Sequence, residues 1–413
     1  MIAYRHRLVF VTFTLAMLLY IDRIAISTAK SSITGAFALT DTQFGFILSA
    51  FALGYALTQI PAGMIVDRFG PRLVLGGIVA IWSVFTGLTG FAVGFVSLLL
   101  IRTLFGMAEA GAWPACARAF YSWLPPGERG FAKSVNMSGS RLGSAFALPA
   151  VAWLITRLGW QVSFFVLAAA GLIWATGWYL WFRDTPEAKS GFTDEERSFL
   201  ASNRGGSNAV EKPLPLAALF RLPNIWLMMG QYFASNFTFF FCLTWLFPMM
   251  QKTYHLDPVT TGFYSAIPLL CGAAGAWTGG VAGDALYRRG YGVRARQWPA
   301  MFGFALSAVG VVAALYCSTP LAMAVVLGVA MYGSDMTLPT SWALCIDVSK
   351  THSGAMGGAM NMAGNLGSFV TSLAWPLLLA ATGSTTPFFI AAAVLNVLGV
   401  LFWGLVRSTT ARA

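Results

Sequence analysis

Long apolar runs separated by short polar turns dominate this 413-residue chain. A hydrocarbon core of ~30 Å takes about 20 residues of helix to cross. The pattern predicts twelve such helices, near 8–33, 44–66, 73–93, 95–121, 131–156, 160–182, 223–250, 259–283, 298–317, 320–346, 354–380 and 386–406. The longest polar stretch, 183–221, separates six spans from six. The expected architecture is therefore an all-α membrane protein with a six-helix bundle over 1–182, a linker over 183–221 and a second six-helix bundle over 222–413. Within the linker, Thr193 and Glu196 have capping-box spacing before a short amphipathic helix, whose charges read as a solvated face.

Composition agrees with the pattern. The chain is 57% hydrophobic and 10% charged, against roughly 45–50% and 25% in soluble domains. A net charge of +11 would suggest nucleic acid in a soluble protein. Here it follows the positive-inside rule instead. With both termini cytoplasmic, Lys30, Arg157 and Lys252 lie outside, while Arg23, Arg102, Arg118 and Arg141 lie in spans or at their edges. The rest of the 26 Lys+Arg fall on the cytoplasmic side. Arg5 and Arg7 before an apolar run could open a signal peptide, but Asp22-Arg23 interrupts the run and no clear A-x-A site follows. The first helix is expected to be retained. The five cysteines lie singly in apolar spans, so neither a disulfide framework nor a metal site is expected.

The two halves echo each other. Gly45, Phe46, Gly63 and Asp67 recur as Gly262, Phe263, Gly280 and Asp284 at one constant offset. NMSGSRLGS (136–144) matches NMAGNLGS (361–368) with one residue dropped. With six spans each, the halves are parallel repeats, an arrangement in which transporters place a midplane site between halves that rock around it. Gly139 and Gly143 read as close-packing positions. The stretch GMIVDRFGPRLVL (63–75) resembles the major facilitator superfamily, whose loop between spans two and three has the pattern G-x-x-x-D-R-x-G-x-R. Gly63, Asp67, Arg68, Gly70 and Arg72 fill it. The copy GVAGDALYRRG (280–290) keeps Gly280, Asp284, Arg288 and Arg289. A charged helix end of this kind suits a gate brace and says nothing about substrate.

Charges inside the spans carry the chemistry. A charge at the bilayer centre costs ~2.5–3.5 kcal/mol on insertion scales, so it persists where a cavity, a partner or a function compensates. Span one carries Asp22 and Arg23, with Tyr20, Arg23 and Ser27 on one helical stripe. Span four carries Arg102 and Glu109, two turns or about 10 Å apart, too far to pair easily. Asp22 and Arg23 are their nearest candidate partners. An arginine grips a carboxylate bidentately and stays charged when buried, whereas a neighbouring acid can exchange a proton. The alternative is a salt-bridge cluster that only ties spans one and four together.

The match then narrows to the anion:cation symporter family, which includes carriers of sugar acids, sialic acid and glutamate. It is carried by YIDR (20–23), SAFALGYALTQIPAG (49–63), Arg102 with Glu109 and Pro114, WLPPGERG (123–130), GQYFASN and TWLF in span seven, Trp342, and GAMNMAGNLG (358–367). The resemblance implies that Arg23 and Arg102 hold a substrate carboxylate. It also implies that Asp22 and Glu109 take up protons and that Tyr20, Tyr55, Trp342 and Asn361 line the pocket. Two departures put the substrate's identity in question: Ser140 beside Arg141 in span five, and the extra acid Asp335 in span ten.

In the second half, Gln231, Ser235, Thr238, Cys242 and Trp245 share a stripe, Asp335 and Trp342 lie seven apart, and Asn361 and Asn365 lie four apart. Helix packing and substrate contact both explain each of them. The leading expectation is a proton-coupled symporter of a small organic anion in the cell inner membrane. It would work as a monomer without cofactor or nucleic acid, with protons as the coupling ion. A drug exporter of the same fold and a non-transporting sensor or scaffold are the alternatives; no nucleophile-base pair or metal cluster suggests an enzyme.

Overall fold

A computed structural model describes residues 4–186, 191–203, 220, 223–349 and 353–407. A 3-10 turn, Tyr4–His6, leads into α1 (Arg7–Thr28) and α2 (Lys30–Phe37). There follow α3 (Asp41–Phe69), α4 (Pro71–Gly90), α5 (Phe95–Glu109), α6 (Ala112–Trp123), α7 (Pro126–Leu158) and α8 (Trp160–Trp181). The linker helix α9 (Asp194–Asn203) precedes α10 (Pro223–Thr244), α11 (Leu246–Tyr254), α12 (Pro258–Arg288), α13 (Arg294–Ala313), α14 (Pro320–Ser349), α15 (Ser353–Thr382) and α16 (Thr386–Leu405).

Among the described residues, nine helices are long and apolar enough to cross a membrane, or ten when α10 and α11, bent by 51°, count as one. The two other expected spans are α3 and α7, with 29 and 33 residues, longer than the ~20 that crossing requires. Two spans break where proline removes a rung of the helical ladder. Pro114 cannot donate to Ala110, where α5 gives way to α6, and Pro248 cannot donate to Thr244, where α10 gives way to α11.

The chain divides into two compact units, Met1–Ala209 and Val210–Ala413. Within the first, α1 packs on α7, α3 on α5 and α4 on α8; within the second, α10 packs on α15, α12 on α14 and α13 on α16. These are the same pairings of corresponding spans, so the sequence repeat is also a repeat of architecture. Glycines let the first unit's helices touch backbone to backbone. A Cβ on Gly139 would lie 2.6 Å from the Phe13 carbonyl oxygen, and one on Gly143 2.5 Å from Met17 Cα. In the second unit Ile225, Met228, Phe304, Leu344, Met360 and Trp403 form a buried core. Outward side chains such as Leu57, Ile173 and Val281 are 67%, 73% and 69% exposed, a surface suited to lipid rather than water.

Asp194 and Glu195 of the linker helix are exposed, as a solvated face requires, but Glu196 is buried. The Thr193 hydroxyl accepts the Glu196 N–H at 3.2 Å, so half of a capping box forms. The Glu196 carboxylate, however, turns to the chain start. It accepts from the Tyr4 and Arg5 amides at 3.2 and 3.0 Å and from Arg5 Nη1 at 3.2 Å. Arg5 also donates bidentately to Glu128 at 2.9 Å through both nitrogens, and this holds the Glu128 carboxyl, outside the apolar span, below the usual carboxylate range. Tyr4 sits among Trp123, Trp181 and Phe192. The start of the chain, the start of α7 and the linker helix thus form one knot on the first unit.

Candidate functional site

The four charges of α1 and α5 meet inside the first unit. Asp22, Arg23, Arg102 and Glu109 are all buried, none more than 7% exposed. Glu109 is the last residue of α5, just before the Pro114-linked break. Its Oε2 accepts from Arg23 Nε at 2.7 Å, with Arg23 Nη2 also at 2.7 Å from that oxygen. Both contacts fall on one oxygen. Glu109 Oε1 and the Arg23 Nη2 hydrogens are therefore left without hydrogen-bonded partners.

Arg102 is the less compensated cation. Among the described residues no carboxylate forms a salt bridge with it, and its buried Nε has no hydrogen-bond partner. Its guanidinium instead lies over the rings of Phe105 and Phe51, at 4.3 and 5.4 Å. Arg23 lies over Tyr20, Phe51 and Tyr55 at 4.9, 5.0 and 5.0 Å. Aromatic faces attract both cations while leaving N–H edges open, and such edges are what a carboxylate or sulfonate binds.

Both oxygens of Asp22 are buried without a hydrogen bond. Trp82 and Thr86 of α4 are its polar neighbours, and Trp82 Nε1 is likewise unbonded. A buried carboxylate left without partners is costly as an ion. Trp82, Thr86, Phe51 and Phe105 are site neighbours that the sequence reading did not single out. Three sit in apolar surroundings without a charge to flag them, and Thr86 blends with the many hydroxyls that bond their own helix, here Trp82 O at 3.1 Å.

The remaining expected residues are placed differently. Ser140 donates to the Met137 carbonyl at 2.6 Å, and Arg141 is buried beside it on α7. In the second unit the Gln231 amide is engaged in packing. It donates to Met228 O at 3.1 Å and contacts Met360 Sδ at 3.7 Å, and its oxygen accepts from Ser341 Oγ and Trp403 Nε1, each at 3.3 Å. Trp342 stands edge-on to Tyr232, its buried Nε1 without a hydrogen-bond partner. Asn365 donates to the Asn361 carbonyl at 3.0 Å, both side chains being half-buried. Asp335 is fully buried against Gly272, where a Cβ would strike its Oδ2.

The gate motif has structural partners that the pattern did not name. Gly70 adopts φ 79° between α3 and α4, and a Cβ there would crowd the Asp184 carboxylate at 2.9 Å. That carboxylate accepts the Arg72 N–H at 2.8 Å, while Arg72 Nε reaches the Tyr179 carbonyl at 3.1 Å. Arg68 lies over Phe69, Gly63 faces open space, and the Asp67 side chain lies outside the described residues. In the second copy Asp284 Oδ1 accepts from Arg296 at 2.8 Å, and Arg288 is exposed.

Helical spans, paired repeats and a buried cluster of charges describe a membrane carrier, and comparison with known proteins agrees. The family model of the Major Facilitator Superfamily matches residues 12–372, and the chain belongs to that superfamily as a multi-pass membrane transporter. It is 33% identical over 396 residues to a "Probable sulfoacetate transporter" of Cupriavidus necator, covering 95% of this chain and 92% of the relative. A "Probable L-galactonate transporter" of Escherichia coli is 30% identical over 382 residues, covering 91% and 83%. A "Probable galactarate/D-glucarate transporter" of Escherichia coli is 29% identical over 402 residues, covering 92% and 88%. The fold matches the crystal structure of a bacterial homolog of the human lysosomal transporter Spinster, with TM-score 0.78, 19% identity and coverage of 98% and 97%.

Proposed function

We propose that the protein is a proton-coupled symporter of a small organic anion that works by alternating access of its two repeats. The observation that carries this is Arg102, a buried guanidinium with no salt-bridge partner among the described residues, beside an Arg23 whose ion pair leaves donors unused. A carboxylate or sulfonate between them completes their hydrogen bonding. The relatives named for sulfoacetate, galactonate and glucarate support an acid of that size.

Coupling follows from charge. A proton on Asp22 and another on Glu109 remove the negative charges competing for the two arginines, and the anion takes their place. When the anion leaves, Glu109 returns to Arg23 and the protons depart. Neighbouring Tyr20 and Tyr55 hold the substrate end at Arg23, and Trp342, Asn361, Asn365, Ser140 and Arg141 are candidate contacts for its body, whereas the Gln231 amide is taken up by packing. Asp335 is a further candidate proton carrier. Gly70 and Arg72, tied to Asp184, act as a gate brace together with Gly63, Asp67 and Arg68, matched in the second half by Asp284 and Arg288. The Lys and Arg distribution supports an inner-membrane location with both termini cytoplasmic, and the repeat supports a functional monomer.

Proteoliposomes with an imposed inward proton gradient test the reading. Accumulation of labelled sulfoacetate, galactonate or glucarate, abolished by collapsing the gradient, is the expected result. Equal uptake with and without the gradient would leave a uniporter and refute coupling.

A further inference from the structure

Phe51 lies on α3, a different helix from α1 and α5, which carry the charges. Yet both guanidinium groups of the site stand over its ring, Arg23 at 5.0 Å and Arg102 at 5.4 Å. The ring is 6% exposed and adjoins Tyr55 and Phe105 at centroid distances of 6.0 and 5.6 Å. Its place is set by the backbone. A Cβ on Gly106 would strike the Phe51 carbonyl oxygen, and one on Gly54 the Thr103 carbonyl oxygen. α3 and α5 therefore touch main chain to main chain at Phe51, one helical turn from Arg102.

Two like charges in an apolar interior repel each other, and among the described residues Arg23 alone of the two forms a salt bridge, with Glu109. A shared aromatic ring offsets part of that repulsion, because the negative π cloud attracts both cations. It does so without occupying their N–H donors, which an acid would. We infer that Phe51 is a positioning residue for anion binding: its ring holds Arg23 and Arg102 as a single two-cation receptor with a set spacing. This rests on the organic-anion reading above and adds the element that keeps the receptor assembled when no substrate is present.

The test replaces Phe51 by phenylalanines carrying one, two and three ring fluorines, which drain the π cloud while nearly keeping the shape. Two quantities are read on the purified protein: melting temperature without ligand, and Kd for sulfoacetate, galactonate and glucarate. The expected result is a stepwise fall in melting temperature that becomes shallower in an Arg102→Met background, where the Arg23 contact alone remains. A matching weakening of binding should reach roughly tenfold at full substitution, about 1.4 kcal/mol, since two cation–π contacts are weakened together. Phe51→Leu should weaken binding at least as much. A merely space-filling ring predicts flat series, and flatness in melting temperature or in affinity overturns the inference. Failure of all three acids to bind the unmodified protein overturns the anion reading itself, whatever the melting series does.

Discussion

The two units share one set of helix pairings but differ in what those helices bury. The first encloses two arginines and two acids from α1 and α5. Arg23 Nη2, Arg102 Nε, Glu109 Oε1 and both Asp22 oxygens all lack hydrogen-bonded partners. In the second, Gln231 bonds to Met228, Ser341 and Trp403, and Ser235 pairs with Ser334 at 3.2 Å. A satisfied polar group stabilises packing, whereas an unsatisfied buried charge awaits a ligand or a proton. The difference supports placing the chemistry in the first unit; in the second, the open buried groups among the described residues are the Trp342 indole, the Ser265 and Ser307 hydroxyls and Asn396 Oδ1.

Glu109→Gln should break this asymmetry most severely. It leaves Arg23 buried without its counter-charge, a change that costs about 3–5 kcal/mol when one partner of a buried pair is lost. Gradient-driven accumulation should vanish while counterflow of preloaded anion persists; loss of counterflow and binding together would count against a proton role. A smaller effect is expected at Gln231→Leu, which strands the Trp403 donor, while Ser341 Oγ keeps the Thr337 carbonyl at 2.7 Å. Stability should fall by about 1–3 kcal/mol with substrate Kd nearly unchanged, and a large affinity loss at normal stability would move Gln231 into the pocket. The smallest effect concerns the knot at the start of the chain. Arg5 depresses the Glu128 carboxyl below its ordinary 4.5, so the contact contributes its full stability above that pH and loses it as pH falls through the lower folded value. Melting temperature should therefore decline on acidification below pH 4.5, and the decline should be shallower in Glu128→Gln. Identical curves would show the contact to be inert.

Much of this was legible in the residue order. Apolar run length located the helices, because a bilayer leaves little choice of backbone, and charge cost marked Asp22, Arg23, Arg102 and Glu109. Their pairing was less accessible. Spacing shows that Arg102 and Glu109 sit two turns apart, but not that Glu109 engages Arg23 and leaves Arg102 over Phe51 and Phe105. An aromatic in an apolar helix carries no mark of the charge beside it, so Phe51, under two arginines, and Trp82, beside Asp22, stayed hidden. Gln231 illustrates the reverse: a polar side chain in a span looks like a pocket residue until Ser341 and Trp403, more than a hundred positions away, turn out to use its oxygen. Likewise Asp184 reaches the gate motif from the end of α8, and Glu196 reaches the chain start from the linker. Long-range partners of this kind have no local signal.

The most direct measurement is calorimetric titration of the purified protein and its Arg102→Met variant with sulfoacetate, galactonate and glucarate. Binding of at least one acid to the unmodified protein is expected, weakened roughly thirtyfold or more in the variant, as removal of one partner of a buried charge contact costs ~2–5 kcal/mol. Equal affinity in a correctly folded variant would contradict the assignment of the first unit's guanidinium groups as the anion receptor.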